Sequence, residues 1–176
     1  MRATAIVSGL IMFGATAWAA LSVFWAGREG EPGFVGPGAL IADLNLVLEV
    51  LLLLGLTFGA WLARRGNIEA HRINQTIWVL VNAALVAFIM ISSMQDAKPE
   101  SLAGFAEPRI WVTWVHATIG TLTLMGGLWL ILQMNDVLPK AVHITWWKNL
   151  MRCTLAGYWI VALLGLWIYR LWYAGL

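Results

Sequence analysis

Charge is what this sequence has least of. Only 11% of its 176 residues are Asp, Glu, Lys or Arg, where a soluble domain of this size carries about a quarter. A surface so poor in charge must face something other than water. Eleven basic residues against nine acidic ones leave a net charge of +2. The basic residues gather in loops rather than along one face, which speaks against a nucleic-acid partner. Cysteine is almost absent. Cys153 stands alone, so no internal disulfide framework exists, and at a helix start it reads as an apolar filler. The three histidines are too few for a diheme b-type arrangement, which needs four axial ligands. No nucleophile triad, P-loop, dinucleotide fingerprint or thiolate metal motif occurs. The chain is not expected to be an enzyme.

Apolar residues are what it has in abundance. They make up 61% of the chain, with a mean hydropathy of +0.78. Five stretches are long enough to cross a hydrocarbon core of ~30 Å as helices: Ala3–Gly27, Gly38–Ala63, Ile73–Gln95, Ile110–Met134 and Leu150–Trp172. The first superficially resembles a signal peptide, but its uncharged run is too long for a secretory core and reads as a retained span. Helices are required because lipid offers no partner to backbone N–H and C=O groups. Barrel-type alternation is absent. The sequence therefore predicts an all-α, polytopic membrane bundle in a single domain covering residues 1–176.

The connections differ in character. Residues 27–37 and 96–109 are Gly/Pro-rich and hold most of the acids. Residues 64–72 and 135–152 hold Arg64, Arg65, Arg72, Lys140, Lys148 and Arg152. Alternating spans put Arg2 on the same side as these basic residues. The positive-inside rule then places the N-terminus in the cytoplasm and the C-terminus outside, in a bacterial inner membrane. Many of the twelve tryptophans fall near span ends, where the indole prefers the interface. Trp129, Trp159 and Trp167 lie deeper and are expected to pack between helices, or against lipid or pigment. The pair Gly55-x-x-x-Gly59 offers close approach either to a second chain or to a helix of the same chain.

Ionisable groups within spans are costly and call for a role. Glu49 lies roughly 16 Å along the second span from Gly38, near mid-membrane, with Asn45 one turn away on the same face. A buried polar network of Asp43, Asn45, Glu49 and Asn82 would satisfy it; a proton relay or a partner for a cationic or metal centre is the alternative. His116 sits about 10 Å into the fourth span, with Gly120 one turn on leaving room for a flat macrocycle. It reads either as a ligand or as a side chain bonded to Glu49 or Asp43. His71, before the third span, and His143, in the last basic loop, could meet and hold a single haem. His71 and His116 lie at opposite faces and cannot share an ion.

The order Leu44-Asn45, a Gly-containing apolar helix, Arg64-Arg65-Gly66-Asn67-Ile68-Glu69-Ala70-His71-Arg72, then His116, then Lys148-x-x-x-Arg152 and Gly165-x-x-x-Tyr169 resembles domain-of-unknown-function family 420. These are small bacterial integral membrane proteins, some of which assist maturation of haem-copper oxidases. The likeness covers residues 44–173. It implies four membrane histidines, of which His71 and His116 match. The other two positions fall near Met94-Gln95 and Trp147, with His143 and Met94 as substitutes. The resemblance and its departures together imply a non-catalytic accessory subunit or assembly factor of a respiratory or photosynthetic electron-transfer complex. Its partners would be membrane lipids and other membrane subunits. Two alternatives stay open: a cofactor protein holding one haem b, a copper ion or a bacteriochlorophyll-type pigment through His71/His143 or His116, and a small proton-conducting or transport unit using Glu49.

Overall fold

In lipid a backbone can satisfy its hydrogen bonds only within itself, and the apolar runs of this chain do so as long helices. A computed structural model describes residues 2–174. Among them five helices are long and apolar enough to cross a membrane: α1 (Arg2–Trp25), α2 (Leu40–Arg64), α3 (Ile68–Ser93), α4 (Pro108–Met134) and α5 (Trp147–Tyr173). Short tight turns at Leu102–Ala106 and Lys140–Val142 interrupt the two longer connections. No strand is formed among the described residues.

Local chemistry sets the helix ends. At the C-termini of α1, α2 and α4 the chain turns through a left-handed residue: Gly27 (φ 65°), Gly66 (φ 80°) and Asp136 (φ 54°). Each turn carries paired reverse bonds. Gly66 N–H donates to the Ala63 carbonyl and Asn67 N–H to that of Leu62; Asp136 N–H donates to Gln133 and Val137 N–H to Leu132. These satisfy carbonyls the helix leaves free. The Asn67 side chain then accepts the Ala70 N–H at 3.1 Å and caps α3. This cap starts α3 five residues before the apolar run, because a cap and one polar turn propagate a helix that hydropathy alone does not register. Pro108 opens α4, where its missing N–H costs nothing.

Helices α2, α3, α4 and α5 pack in a closed ring, and α1 lies outside it against α3. Small residues bring α1 in: Ala5, Gly9, Ala17 and Ala20 are its buried positions, and a Cβ on Gly9 would stand 2.7 Å from Leu80 Cδ1. The Gly55-x-x-x-Gly59 pair serves contact within the chain. A Cβ at Gly55 would overlap the Trp78 indole, and one at Gly59 the amides of Asn74 and Gln75. That approach lets three α3 side chains donate to α2 carbonyls: His71 to Gly59 at 2.8 Å, Asn74 to Gly55 at 2.8 Å and Gln75 to Leu56 at 3.0 Å.

The ring is unevenly filled. Toward the basic loops Leu56, Val79 and Ile131 are buried in one apolar cluster. Toward the acidic loops, 26–39 and 94–107, the ring is hollow. Outside, large side chains such as Ile11, Trp18, Leu122, Met125 and Leu163 are more than 60% exposed, the surface of a membrane protein rather than of a water-soluble one. Trp129, Trp159 and Trp167 belong to it: they are 37%, 44% and 46% exposed, and Trp167 also packs edge-to-face on Trp111 of α4 with ring centroids 5.9 Å apart. Cys153 is also exposed, so it does not fill a core. Cys153, Trp159 and Trp167 face outward because the inward stripe of α5 is taken by Thr154, Tyr158, Val161 and Gly165.

Candidate functional site

The hollow half of the ring is a cavity of about 470 Å³ walled by α2, α3, α4 and α5, a volume in the range of small-molecule sites. Its walls are mostly apolar, from Leu46, Leu53, Ile89, Val161 and Ile168 among others. It reaches the acidic loops at Glu29 and Asp96, beside Tyr173 at the end of α5. In α3 the helix widens to a π turn over Val86–Met90. Val86, Ile89 and Met90 all line the cavity. Such a turn re-aims side chains and loosens the ladder, and recurs at functional sites.

Glu49 and His116 meet across this space, with His116 Nε2 3.9 Å from Glu49 Oε1. Gly165 on α5 makes the meeting possible, since a Cβ there would stand 2.6 Å from Glu49 Oε2 and 3.5 Å from His116 Cε1. His116 Nδ1 lies 3.1 Å from the Val161 carbonyl. A carbonyl only accepts, so Nδ1 carries a proton; Nε2 faces the cavity and is a lone-pair acceptor when the ring is neutral. Glu49 is 8% exposed, and no hydrogen bond ties it to another described residue. Deeper, Asn82 Nδ2 donates to the Tyr158 hydroxyl at 3.3 Å and closes the cavity floor.

The remaining residues singled out from the sequence take other places. Asp43 is fully buried but does not join Glu49. Its Oδ2 accepts the N–H groups of Phe34 (2.6 Å), Val35 (2.5 Å) and Gly36 (3.4 Å). Its Oδ1 accepts the Tyr169 hydroxyl. It is the anchor of loop 33–38. Asn45 lines the cavity, and its Oδ1 is buried with no partner. No two of the four residues expected to form one network bond each other: Asp43 holds the loop, Glu49 faces His116, Asn82 bonds Tyr158 and Asn45 Oδ1 has no partner. His71 is buried at the start of α3, its Nε2 without a partner. His143 Nε2 lies 3.1 Å from the Leu138 carbonyl in the last basic loop. Each histidine holds its own backbone carbonyl, and of the three only His116 lines the cavity.

Fit to the expected cofactors can be tested on these residues. Among the described residues no group of three or more His, Cys, Asp or Glu side chains is placed to hold a metal ion; Met94, the soft-ligand substitute, lines the cavity with His116. For haem, His116 with its Nδ1–H on a carbonyl has the posture of an axial ligand. The cavity lining, however, includes Glu29, Glu49 and Asp96 and no Lys or Arg, which opposes two propionates. A neutral macrocycle meets no such objection. Tyr158, Gly165 and Glu29 were not singled out from the sequence as site residues. A tyrosine inside an apolar span is the one signal available for Tyr158, since its hydroxyl needs a partner there.

Fold and site together define a five-helix membrane protein with a ligand-sized cavity in one half of its bundle. No protein-family model, curated protein or solved structure matches the chain. Its function rests on the geometry of the cavity.

Proposed function

We propose that this chain is a non-catalytic integral membrane protein that binds one largely apolar small molecule or cofactor in the hollow half of its bundle, with Glu49 and His116 as the polar contacts. The observation that carries the reading is the pair itself. Two ionisable side chains face one another across an apolar cavity, and the Glu49 carboxyl is bonded to no other described residue. Groups this costly inside a membrane are retained where they meet a ligand, an ion or each other. Empty space beside them leaves room for the ligand.

The excess of Arg and Lys at one end supports an orientation with the N-terminus in the cytoplasm of a bacterial cell. The cavity then opens toward the outside. A bound pigment or redox-active ligand is also what an accessory subunit of a respiratory or photosynthetic electron-transfer complex would contribute, and that role remains part of the proposal.

Purification in mild detergent, followed by native mass spectrometry and an absorption spectrum, tests the reading. The expected result is a bound mass lost in Gly120→Phe, which fills the cavity. A visible band lost in His116→Ala would identify a macrocycle. A chain that never retains a small molecule, and whose stability no added apolar compound changes, overturns it.

A further inference from the structure

We propose that the ligand of this cavity is an apolar molecule bearing a protonated amine. The inference rests on the reading of the cavity as a ligand site and adds the charge and hydrogen-bonding character of what enters it.

The polar atoms lining the cavity are unevenly committed. Most donors are already used. Thr113 donates to the Arg109 carbonyl, Thr121 to that of Ala117 and Ser93 to that of Ile89. The Trp172 indole N–H is directed at Thr113 Oγ1 at 3.4 Å, and the Tyr169 hydroxyl at Asp43. Four side-chain acceptors are not used. Glu29 Oε2 and Asn45 Oδ1 are buried with no partner. The Glu49 carboxyl takes no hydrogen bond from a described residue, and His116, with Nδ1–H held by Val161, has Nε2 as an acceptor in its neutral form. Free side-chain donors among the described lining residues include the Tyr158 and Tyr173 hydroxyls, the Asn45 amide and the second N–H of Asn82.

Charge points the same way. Three carboxyl side chains line the cavity, at Glu29, Asp96 and Glu49, and no Lys or Arg lines it. A buried carboxylate needs a compensating cation or proton. An ammonium group supplies up to three donors and one positive charge to a site rich in acceptors. The volume of about 470 Å³ and the apolar walls accommodate an attached hydrocarbon body, which a bare or hydrated metal ion would leave unfilled. Tyr169 and Tyr173 near the acidic loops add aromatic surface that favours a cation over an anion.

Three isosteric probes separate the possibilities: adamantylamine, adamantanol and adamantane carboxylate share one rigid apolar body and differ in the head group. Each is titrated calorimetrically into the full chain in phosphatidylcholine nanodiscs, with empty nanodiscs subtracted. The amine is expected to bind about tenfold or more tightly than the carboxylate, with the alcohol between them. Glu49→Gln is expected to bring the amine to the level of the alcohol. Should Glu49→Gln fail to fold, Glu29→Gln is expected to erode the same preference by a smaller factor. A carboxylate that binds as tightly as the amine, or an amine preference that survives both substitutions, overturns the proposal. If the alcohol binds without any charge preference, the amine inference fails and the ligand site stands. If none of the three gives heat beyond that of empty nanodiscs, and Gly120→Phe changes nothing, both fail.

Discussion

The Tyr169 hydroxyl donates to Asp43 Oδ1, joining the last helix to the start of the second across 126 residues of sequence. Asp43 Oδ2 meanwhile gathers three N–H groups from residues 34–36, and the Gly38 N–H donates back to the Tyr169 oxygen at 3.1 Å. One carboxylate thus closes a ring of loop, helix and helix beside the cavity mouth. Tyr169→Phe removes two of these bonds and is expected to lower stability by about 1–3 kcal/mol. Asp43→Ala strands three backbone donors and is expected to cost more. Thermal unfolding in detergent measures both. Faster hydrogen exchange confined to residues 33–38 would localise the effect.

Glycine at the α2–α3 contact is expected to be irreplaceable. Gly55→Ala would drive a methyl group into Trp78, and Gly59→Ala into the two amides that bind α2 carbonyls. Overpacking of this kind costs about 1–3 kcal/mol. Gly14→Ala is the control: nothing lies within 4 Å of a Cβ there, and the gain in helix propensity of up to about 1 kcal/mol favours the variant. Equal effects at all three positions would show that the close approach carries no weight.

Gly165→Ala separates site from scaffold. Its methyl group would press on Glu49 Oε2 and His116 Cε1, displacing the pair without removing either residue. Ligand affinity is expected to fall by about tenfold or more, with a shift in unfolding temperature smaller than that of Gly55→Ala. A binding assay run beside the melting curve reads both quantities on one preparation.

Two exposed ion pairs are expected to matter little. Arg2 with Asp136 and Arg28 with Glu31 are all more than 40% exposed at the side chain. Pairs of this kind contribute about 0–1 kcal/mol. Arg28→Gln is expected to leave the melting temperature within error. Asp136→Gly removes an ion pair but relieves a left-handed backbone at a helix end. It is expected to be neutral or stabilising.

Orientation has a direct measurement. In a Cys153→Ala background, Ser101→Cys in the 94–107 connection is expected to react with a membrane-impermeant maleimide in intact cells. Lys140→Cys at the opposite end is expected to react only after lysis. The reverse pattern would invert the proposed topology.

Much of the architecture was legible in the residues themselves. A bilayer leaves only helices for runs of this length and hydropathy, so five spans and the mid-membrane depth of Glu49 follow from composition and rise per residue. Helix starts were less legible: the Asn67 cap and the polar turn after it extend α3 beyond the apolar run. Glu49 and His116 were recognisable as misfits in apolar helices. That His116 could meet Glu49 was one reading of the sequence, beside Asp43 or a ligand; which of these it faces depends on which sides of α2 and α4 turn inward and on a glycine in a third helix.

What the sequence determines by itself is solvent and secondary structure, because both depend on local side-chain transfer energies and backbone satisfaction. What only the tertiary structure decided is company. Asp43 sits at nearly the same depth as Asn45, yet its carboxylate folds a loop while Asn45 faces a void. The difference of two residues rotates them to different sides of one helix, and only packing gives those sides different neighbours.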